Sequence, residues 1–132
     1  MNIFQMEMRC PAAEKISTGV IKNFRLAFRH GGVATIIPAE GFEVPVVLWN
    51  ITKDCERRLD VYEGYPRLYI KAKVQIVTLN EIVTAMVYIM AENYAKLIER
   101  PGDKYFETIK EGYRQNEIEL ERLEAALILS SY

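Results

Sequence analysis

The side chains of this sequence that could do chemistry are carboxylates and tyrosines, and they concentrate around Glu63. Glu63 falls in the last turn of a predicted helix, where the helix dipole disfavours a carboxylate by about 0.3–1 kcal/mol. Tyr62, Tyr65 and Tyr69 lie nearby, and any cover they provide adds desolvation, which also disfavours the charged form. Both effects raise the pKa of the carboxyl group, as a general acid–base near neutral pH requires. The alternative interpretation is an exposed glutamate at a frayed helix end.

Few other side chains offer reactive chemistry. His30 is the only histidine and lies in a predicted turn, so hydrolytic triads and zinc sites would depend on one solvated side chain. Cys10 and Cys55 are isolated in sequence, which favours two buried thiols in a reducing compartment and leaves one disulfide as the alternative. No phosphate-binding or dinucleotide-binding glycine motif occurs. We therefore expect neither a metal nor a cofactor.

Length and composition predict one globular domain over residues 1–132. Half of the 132 residues are hydrophobic and 27% are charged, a mixture typical of a folded chain with a real core. The formal net charge of −1 gives no electrostatic footprint for nucleic acid. No apolar stretch approaches the ~20 residues of a membrane span, and no secretory leader is recognisable. We expect a cytoplasmic protein with no membrane partner.

Hydrophobic periodicity predicts strands that cluster, with helices at the beginning, in the middle and at the end. The predicted strands cover residues 15–20, 23–29, 33–37, 44–51, 70–76 and 82–90, with a turn at Pro38–Gly41. A helix is expected to begin after Thr52 and to end before Gly64, with Cys55, Leu59 and Tyr62 on its core face. Asp103 is expected to cap another helix, and Asn116 with Glu119 to begin the last one. This order favours an α+β fold with either an antiparallel-rich sheet or a small barrel.

The blocks Val44–Thr52 and Leu59–Gly64, followed by Tyr69, closely resemble the gamma-glutamylcyclotransferase-like family, also called AIG2-like. Ordered matches extend over nearly the whole chain. They include Arg9-Cys10-Pro11, Gly19, Val33–Ile36, Ala85–Tyr88, Pro101, Tyr105, Ile109 and Gly112-Tyr113.

The resemblance implies a small mixed, antiparallel-rich β-barrel with flanking helices and a pocket at one end. It also implies a reaction. Enzymes of this family cleave gamma-glutamyl amides without water, because the substrate's own α-amino nitrogen attacks its γ-carbonyl and releases 5-oxoproline and an amine. The family's catalytic glutamate, which precedes a glycine, corresponds to Glu63, the expected proton shuttle. Tyr69 and Tyr105 correspond to substrate-binding residues, with core aromatics as the alternative. The implied partner is a small gamma-glutamyl amide, and no metal or cofactor is needed.

The sequence departs from the family at its beginning. Family members start with a strand and a Tyr-Gly-Ser-Asn-type loop that cradles the glutamyl group, and this sequence contains neither. Two functions therefore stay open: a cyclotransferase, and a catalytically weak module that binds a small ligand or a protein through the same pocket. A missing strand would leave unpaired sheet edges, from which we expect a homodimer or larger species.

Overall fold

The computed structural model describes residues 1–130 and contains four β-strands, five α-helices and one short 3₁₀ turn in that range. In chain order the elements are α1 (Ile3–Arg9), β1 (Glu14–Arg29), the 3₁₀ turn (His30–Gly32), β2 (Val33–Asn50), α2 (Lys53–Glu63), β3 (Tyr69–Val77), β4 (Ile82–Met90), α3 (Glu92–Ala95), α4 (Asp103–Gln115) and α5 (Glu121–Leu129). None of these helices is both long and apolar enough to cross a membrane.

The four strands form one antiparallel sheet in the order β2-β1-β3-β4. The α+β class and the antiparallel pairing are as predicted. Of the two alternatives, the antiparallel sheet is confirmed, and the described strands do not close into the mixed barrel that the resemblance implied, since every strand pair is antiparallel and β2 and β4 remain the outer strands. The closure fails because β1 and β3 share a single residue pair, Val20 with Val77, so the two hairpins diverge.

The first hairpin is longer and less interrupted than the sequence suggested. β2 runs through Pro38 and Gly41, where a turn between two strands was expected, and it pairs with β1 from Val33 to Asn50. Proline is tolerated there because β2 is an outer strand whose second edge is not hydrogen-bonded to another strand. The predicted turn is found as an irregularity within β2, where residues 39–42 have no register partner in β1 and the register shifts between Lys22 and Phe24.

Three apolar clusters form the core of the described residues. Ile21, Ile36, Val44 and Ile76 form a cluster within the sheet. A second cluster packs α4 and α5 against β1, and includes Phe28, Tyr113, Leu123 and Ala126. A third joins α1 to α2 through Cys10, Cys55 and Leu59. Both cysteines are free buried thiols, and the Cys10 Sγ lies 3.4 Å from the Cys55 carbonyl oxygen.

The predicted helix limits hold for α2 and fail for the last two helices. Gly102, rather than Asp103, occupies the N-cap position of α4. Asn116 ends α4 instead of beginning α5, and its side-chain amide donates to the carbonyl oxygens of Met1 and Gly112. The capping-box pattern was misleading because a tertiary contact with the first residue takes up the side chain that would have capped a helix.

Gly112 is the point at which α4 meets the start of the chain. A Cβ at this position would lie 2.7 Å from the backbone nitrogen of Asn2 and 2.9 Å from its Cα. Those atoms belong to the backbone and cannot rotate away. Glycine in a helix is ordinarily less favourable than alanine by about 0.5–1 kcal/mol. Close approach of two backbones therefore explains a residue that helix propensity disfavours.

We predict that Gly112→Ala lowers the free energy of unfolding by about 1–3 kcal/mol, because the overpacking cost exceeds the gain in helix propensity. Urea denaturation of the variant and the parent protein measures this difference. The neighbouring Glu111→Ala is the matched control and should change the free energy of unfolding by less than about 0.5 kcal/mol, because Glu111 is exposed. A Gly112→Ala protein as stable as the parent would contradict the proposed contact.

Candidate active site

Helix α2 places Glu63 at a defined position because both of its ends are capped. The Thr52 Oγ accepts a hydrogen bond of 3.1 Å from the Cys55 backbone N–H and begins the helix. Gly64 adopts φ 65°, ψ 34°, a left-handed conformation that glycine tolerates, and ends the helix directly after Glu63. Glu63 is thus the last helical residue, as predicted.

A polar network joins α2 to the sheet. No pattern in the sequence predicted this network. The Lys71 ammonium lies 2.6 Å from a Glu56 carboxylate oxygen and 3.0 Å from the Asp60 carboxylate. The Tyr88 hydroxyl donates a hydrogen bond of 2.5 Å to the same Asp60 carboxylate. These contacts lower the pKa of the Asp60 carboxyl, with the Tyr88 hydrogen bond as the largest cause. A lysine in an alternating strand ordinarily faces solvent, so only the three-dimensional structure reveals the contact.

Glu63 borders a groove of about 650 Å³, which we call the Glu63 groove. Residues of α1, the end of α2, the outer strands β2 and β4, Tyr69 of β3 and the first half of α4 line it. Val44–Trp49 of β2 and Ala85–Tyr88 of β4 make its long walls largely apolar. The run from Val44 was predicted to be a strand buried on both faces, whereas Val46–Trp49 are only half-buried because they line this groove.

The structure brings Glu63, Tyr69 and Tyr105 together along this groove, although they come from α2, β3 and α4. The Tyr69 hydroxyl donates a hydrogen bond of 2.5 Å to the Ala34 carbonyl oxygen. The Ala34 backbone N–H in turn donates a hydrogen bond of 2.9 Å to the Tyr105 hydroxyl oxygen. One residue of β2 therefore holds both phenol groups, and Glu63 contributes to raising the pKa of each of them.

The hydroxyls of Tyr69 and Tyr105 have complementary hydrogen-bonding capacities once their bonds to Ala34 are taken into account. Tyr69 uses its proton on Ala34, so its oxygen lone pairs remain available as acceptors. Tyr105 uses a lone pair on Ala34, so its proton remains available as a donor. Desolvation is the largest cause of the raised pKa of both tyrosines, which keeps them protonated. Tyr105 reaches the groove with its hydroxyl while 37% of the residue stays exposed.

The electrostatics of Glu63 combine one strong effect and two weaker opposing ones. Burial raises the pKa of its carboxyl above the ordinary value of 4.5. The positive charges of Arg9 and of the Met1 amino group act in the other direction, and burial prevails. The predicted upward shift is therefore found. Tyr62, however, was expected on the core face of α2 and is exposed, because its ring packs beneath the Arg9 guanidinium at 4.7 Å.

The structure also shows the positions of Thr35 and Arg9. The Thr35 Oγ accepts a hydrogen bond of 2.9 Å from the Met90 backbone N–H and so ties the start of β2 to the end of β4. Arg9 lines the Glu63 groove from the end of α1. Residues 1–130 contain no group of three or more histidine, cysteine, aspartate or glutamate side chains close enough to hold a metal ion.

Comparisons with known proteins agree on one family. The sequence profile described as gamma-glutamyl cyclotransferase, AIG2-like, matches residues 4–113. A human gamma-glutamylcyclotransferase is 29% identical, with 89% of this chain and 67% of that protein aligned. The bovine protein of the same name is 30% identical at the same coverage. A solved structure named gamma-glutamyl cyclotransferase superposes with a TM-score of 0.82 at 27% identity and covers 94% of this chain and 79% of its own.

The raised pKa of Glu63 predicts how its removal changes stability with pH. Because the folded state holds this proton more tightly than the unfolded state, the free energy of unfolding falls as the pH rises through the folded-state pKa. Glu63→Gln cannot ionise, so it should be more stable than the parent at neutral pH, and the difference should vanish below about pH 4. Urea denaturation between pH 4 and 8 tests this. Glu7→Gln, an exposed site on α1, controls for the loss of one negative charge. A difference that does not vary with pH would contradict the assignment.

Proposed function

This chain belongs to the gamma-glutamyl cyclotransferase, AIG2-like family, and on that premise we propose that it converts a gamma-glutamyl amide into 5-oxoproline and a free amine, with Glu63 as the general acid–base. The observation that carries the proposal is the desolvated Glu63 carboxyl in one groove with two tyrosine hydroxyls of opposite hydrogen-bonding capacity. Its substrate is a small molecule, and the pocket needs no further group for the steps below.

Glu63 carries the proton in both halves of the proposed reaction. Its carboxylate removes a proton from the substrate's α-ammonium, and the freed amine attacks the γ-carbonyl carbon to close a five-membered ring. The protonated carboxyl then gives this proton to the leaving nitrogen as its bond to the γ-carbon breaks. The regenerated carboxylate takes the second proton from the ring nitrogen and passes it to the released amine, which departs as its ammonium form. The substrate atoms are fully accounted for by 5-oxoproline and the amine, and no water is consumed. A raised pKa supports this role because it makes the carboxylate a stronger base.

The two tyrosines suit the two ends of the forming bond. Attack on the γ-carbonyl moves negative charge onto its oxygen, and the unused proton of Tyr105 is a fitting donor for that oxyanion. The unused lone pairs of Tyr69 are a fitting acceptor for an N–H of the attacking nitrogen. Their shared attachment to Ala34 holds both groups before the substrate arrives, which lowers the cost of orienting it.

The rest of the groove fits the amine half of the substrate. The walls formed by β2 and β4 are largely apolar and offer contact area without fixed charges. We propose that the departing amine lies along these walls while the glutamyl half lies between Glu63 and the tyrosines. The two buried free thiols are consistent with a cytoplasmic location for this activity.

We predict that Glu63→Gln lowers the turnover of a gamma-glutamyl amide by about 10²–10⁴-fold, because the amide preserves the shape of the side chain but cannot shuttle a proton. Release of 5-oxoproline, followed by chromatography, measures the rate. Glu7→Gln is the matched control and should retain the parent rate. Undiminished turnover in Glu63→Gln would refute the assignment. Ligand binding without turnover in the parent would instead favour the binding-module alternative.

We also propose that the chain self-associates, since β2 and β4 are outer strands whose apolar residues line an open groove. Light scattering across a dilution series should detect species larger than the 15.3 kDa monomer. Val47→Lys, at the β2 wall, should shift the population towards monomer, whereas Leu79→Lys, at an exposed turn, should not. A monomer at every concentration would contradict self-association.

A further inference from the structure

The Glu63 groove contains few charged groups. Among the lining residues that the structure describes, Arg9 and Glu63 are the only ones with charged side chains. The Met1 amino group is the other charged group there, and burial lowers its pKa, which favours its neutral form. Every other lining side chain is apolar or an uncharged polar group. Arg9 is therefore the one permanent cation available to a ligand in this part of the chain.

Arg9 is held in place without being neutralised. Its guanidinium carbon lies 4.7 Å from the centre of the Tyr62 ring, a cation–π contact that orients the group over the aromatic face. Within residues 1–130 it makes neither an ion pair nor a hydrogen bond, so its N–H donors remain free. Arg9 lines the same groove as Glu63 and Tyr105, and its positive charge opposes the rise in the pKa of both groups.

The backbone that carries Arg9 is fixed at both ends of α1. The Asn2 side-chain amide donates a hydrogen bond of 2.9 Å to the Thr108 carbonyl oxygen of α4. Next to Arg9, the Cys10 thiol contacts the Cys55 carbonyl oxygen at the start of α2. Arg9 therefore has a fixed position relative to both Glu63 and Tyr105, as a group that positions a ligand requires.

The proposed substrate carries an anionic group that could pair with Arg9. Its glutamyl half carries an ammonium and a carboxylate on the same α-carbon, and the reaction requires the ammonium to reach Glu63. The α-carboxylate must then enter the same desolvated region, where an unpaired anion is costly. We infer that Arg9 binds the substrate's α-carboxylate and so makes a free α-carboxylate the feature by which this site selects gamma-glutamyl compounds. This inference rests on the proposed function, because it uses the placement of the ammonium at Glu63.

Arginine suits this role better than lysine would. Its planar guanidinium can donate two parallel hydrogen bonds to a carboxylate, and stacking on Tyr62 leaves the edge of the plane free for them. The neighbouring Glu63 carboxylate then meets the ammonium while Arg9 meets the carboxylate. Each substrate charge thus faces a protein charge of opposite sign, and the α-carbon has one favoured orientation.

The test compares binding of 5-oxoproline with binding of its uncharged carboxamide, by calorimetry, so that the readout does not depend on turnover. The parent protein should bind the acid about 10–100-fold more tightly, because a charge-assisted pair is replaced by a neutral one. Arg9→Met should abolish this preference, and Arg9→Lys should restore part of it. Arg67→Met, an exposed arginine in the loop after α2, is the matched control and should keep the preference. Thermal denaturation verifies that each variant is folded.

Several outcomes overturn the inference. One is an Arg9→Met protein that still prefers the acid, and another is a parent protein that binds neither compound at millimolar concentration. A third outcome concerns the Met1 amino group. If acetylation of this group abolishes the preference for the acid while Arg9→Met keeps the preference, the amino group binds the carboxylate instead of Arg9. Turnover assays distinguish a failure of the Arg9 inference from a failure of the proposed reaction. A parent that is inactive on gamma-glutamyl amides but shows Arg9-dependent acid binding refutes only the reaction, whereas an active parent with no Arg9 dependence refutes only the role of Arg9.

Discussion

The peptide group on each side of Ala34 is the constraint on which the site depends. β2 is an outer strand of the sheet, so one of its edges presents backbone groups that no neighbouring strand satisfies. At Ala34 these groups are satisfied by two tyrosine hydroxyls, one from β3 and one from α4. The unpaired edge of this strand thereby joins the sheet to α4 and fixes two phenol groups in the groove that Glu63 borders.

The position of Glu63 could be predicted from sequence because local interactions determine it. Thr52 and Gly64 cap α2 through contacts with residues at most four positions away, and such signals are readable in one dimension. The residues that surround Glu63 in space could not be predicted in this way. Tyr69 and Tyr105 were expected beside it only through resemblance to a family, and their attachment to Ala34 spans 35 and 71 residues. The Lys71 network escaped prediction for the same reason, since a lysine in an alternating strand ordinarily faces solvent.

The wrong predictions about the sheet have a related cause. Pro38 and Gly41 are typical turn residues, yet β2 continues through them because its partner β1 accommodates the irregularity with a shift in register. Closure into a barrel could not be judged from strand count, since it depends on how far β1 and β3 run alongside each other. Asn116 likewise looks like a cap in sequence and serves as a tether to Met1 in space.

The Ala34 arrangement also has a consequence for the end of the catalytic cycle. A lactam ring presents an N–H donor and a carbonyl acceptor side by side, and Tyr69 and Tyr105 offer an acceptor and a donor anchored to one residue. The pair that orients the reacting atoms is therefore equally complementary to the finished ring. For the reaction proposed above, this geometry predicts product inhibition, because accumulated 5-oxoproline would compete with the substrate for the same two hydroxyls.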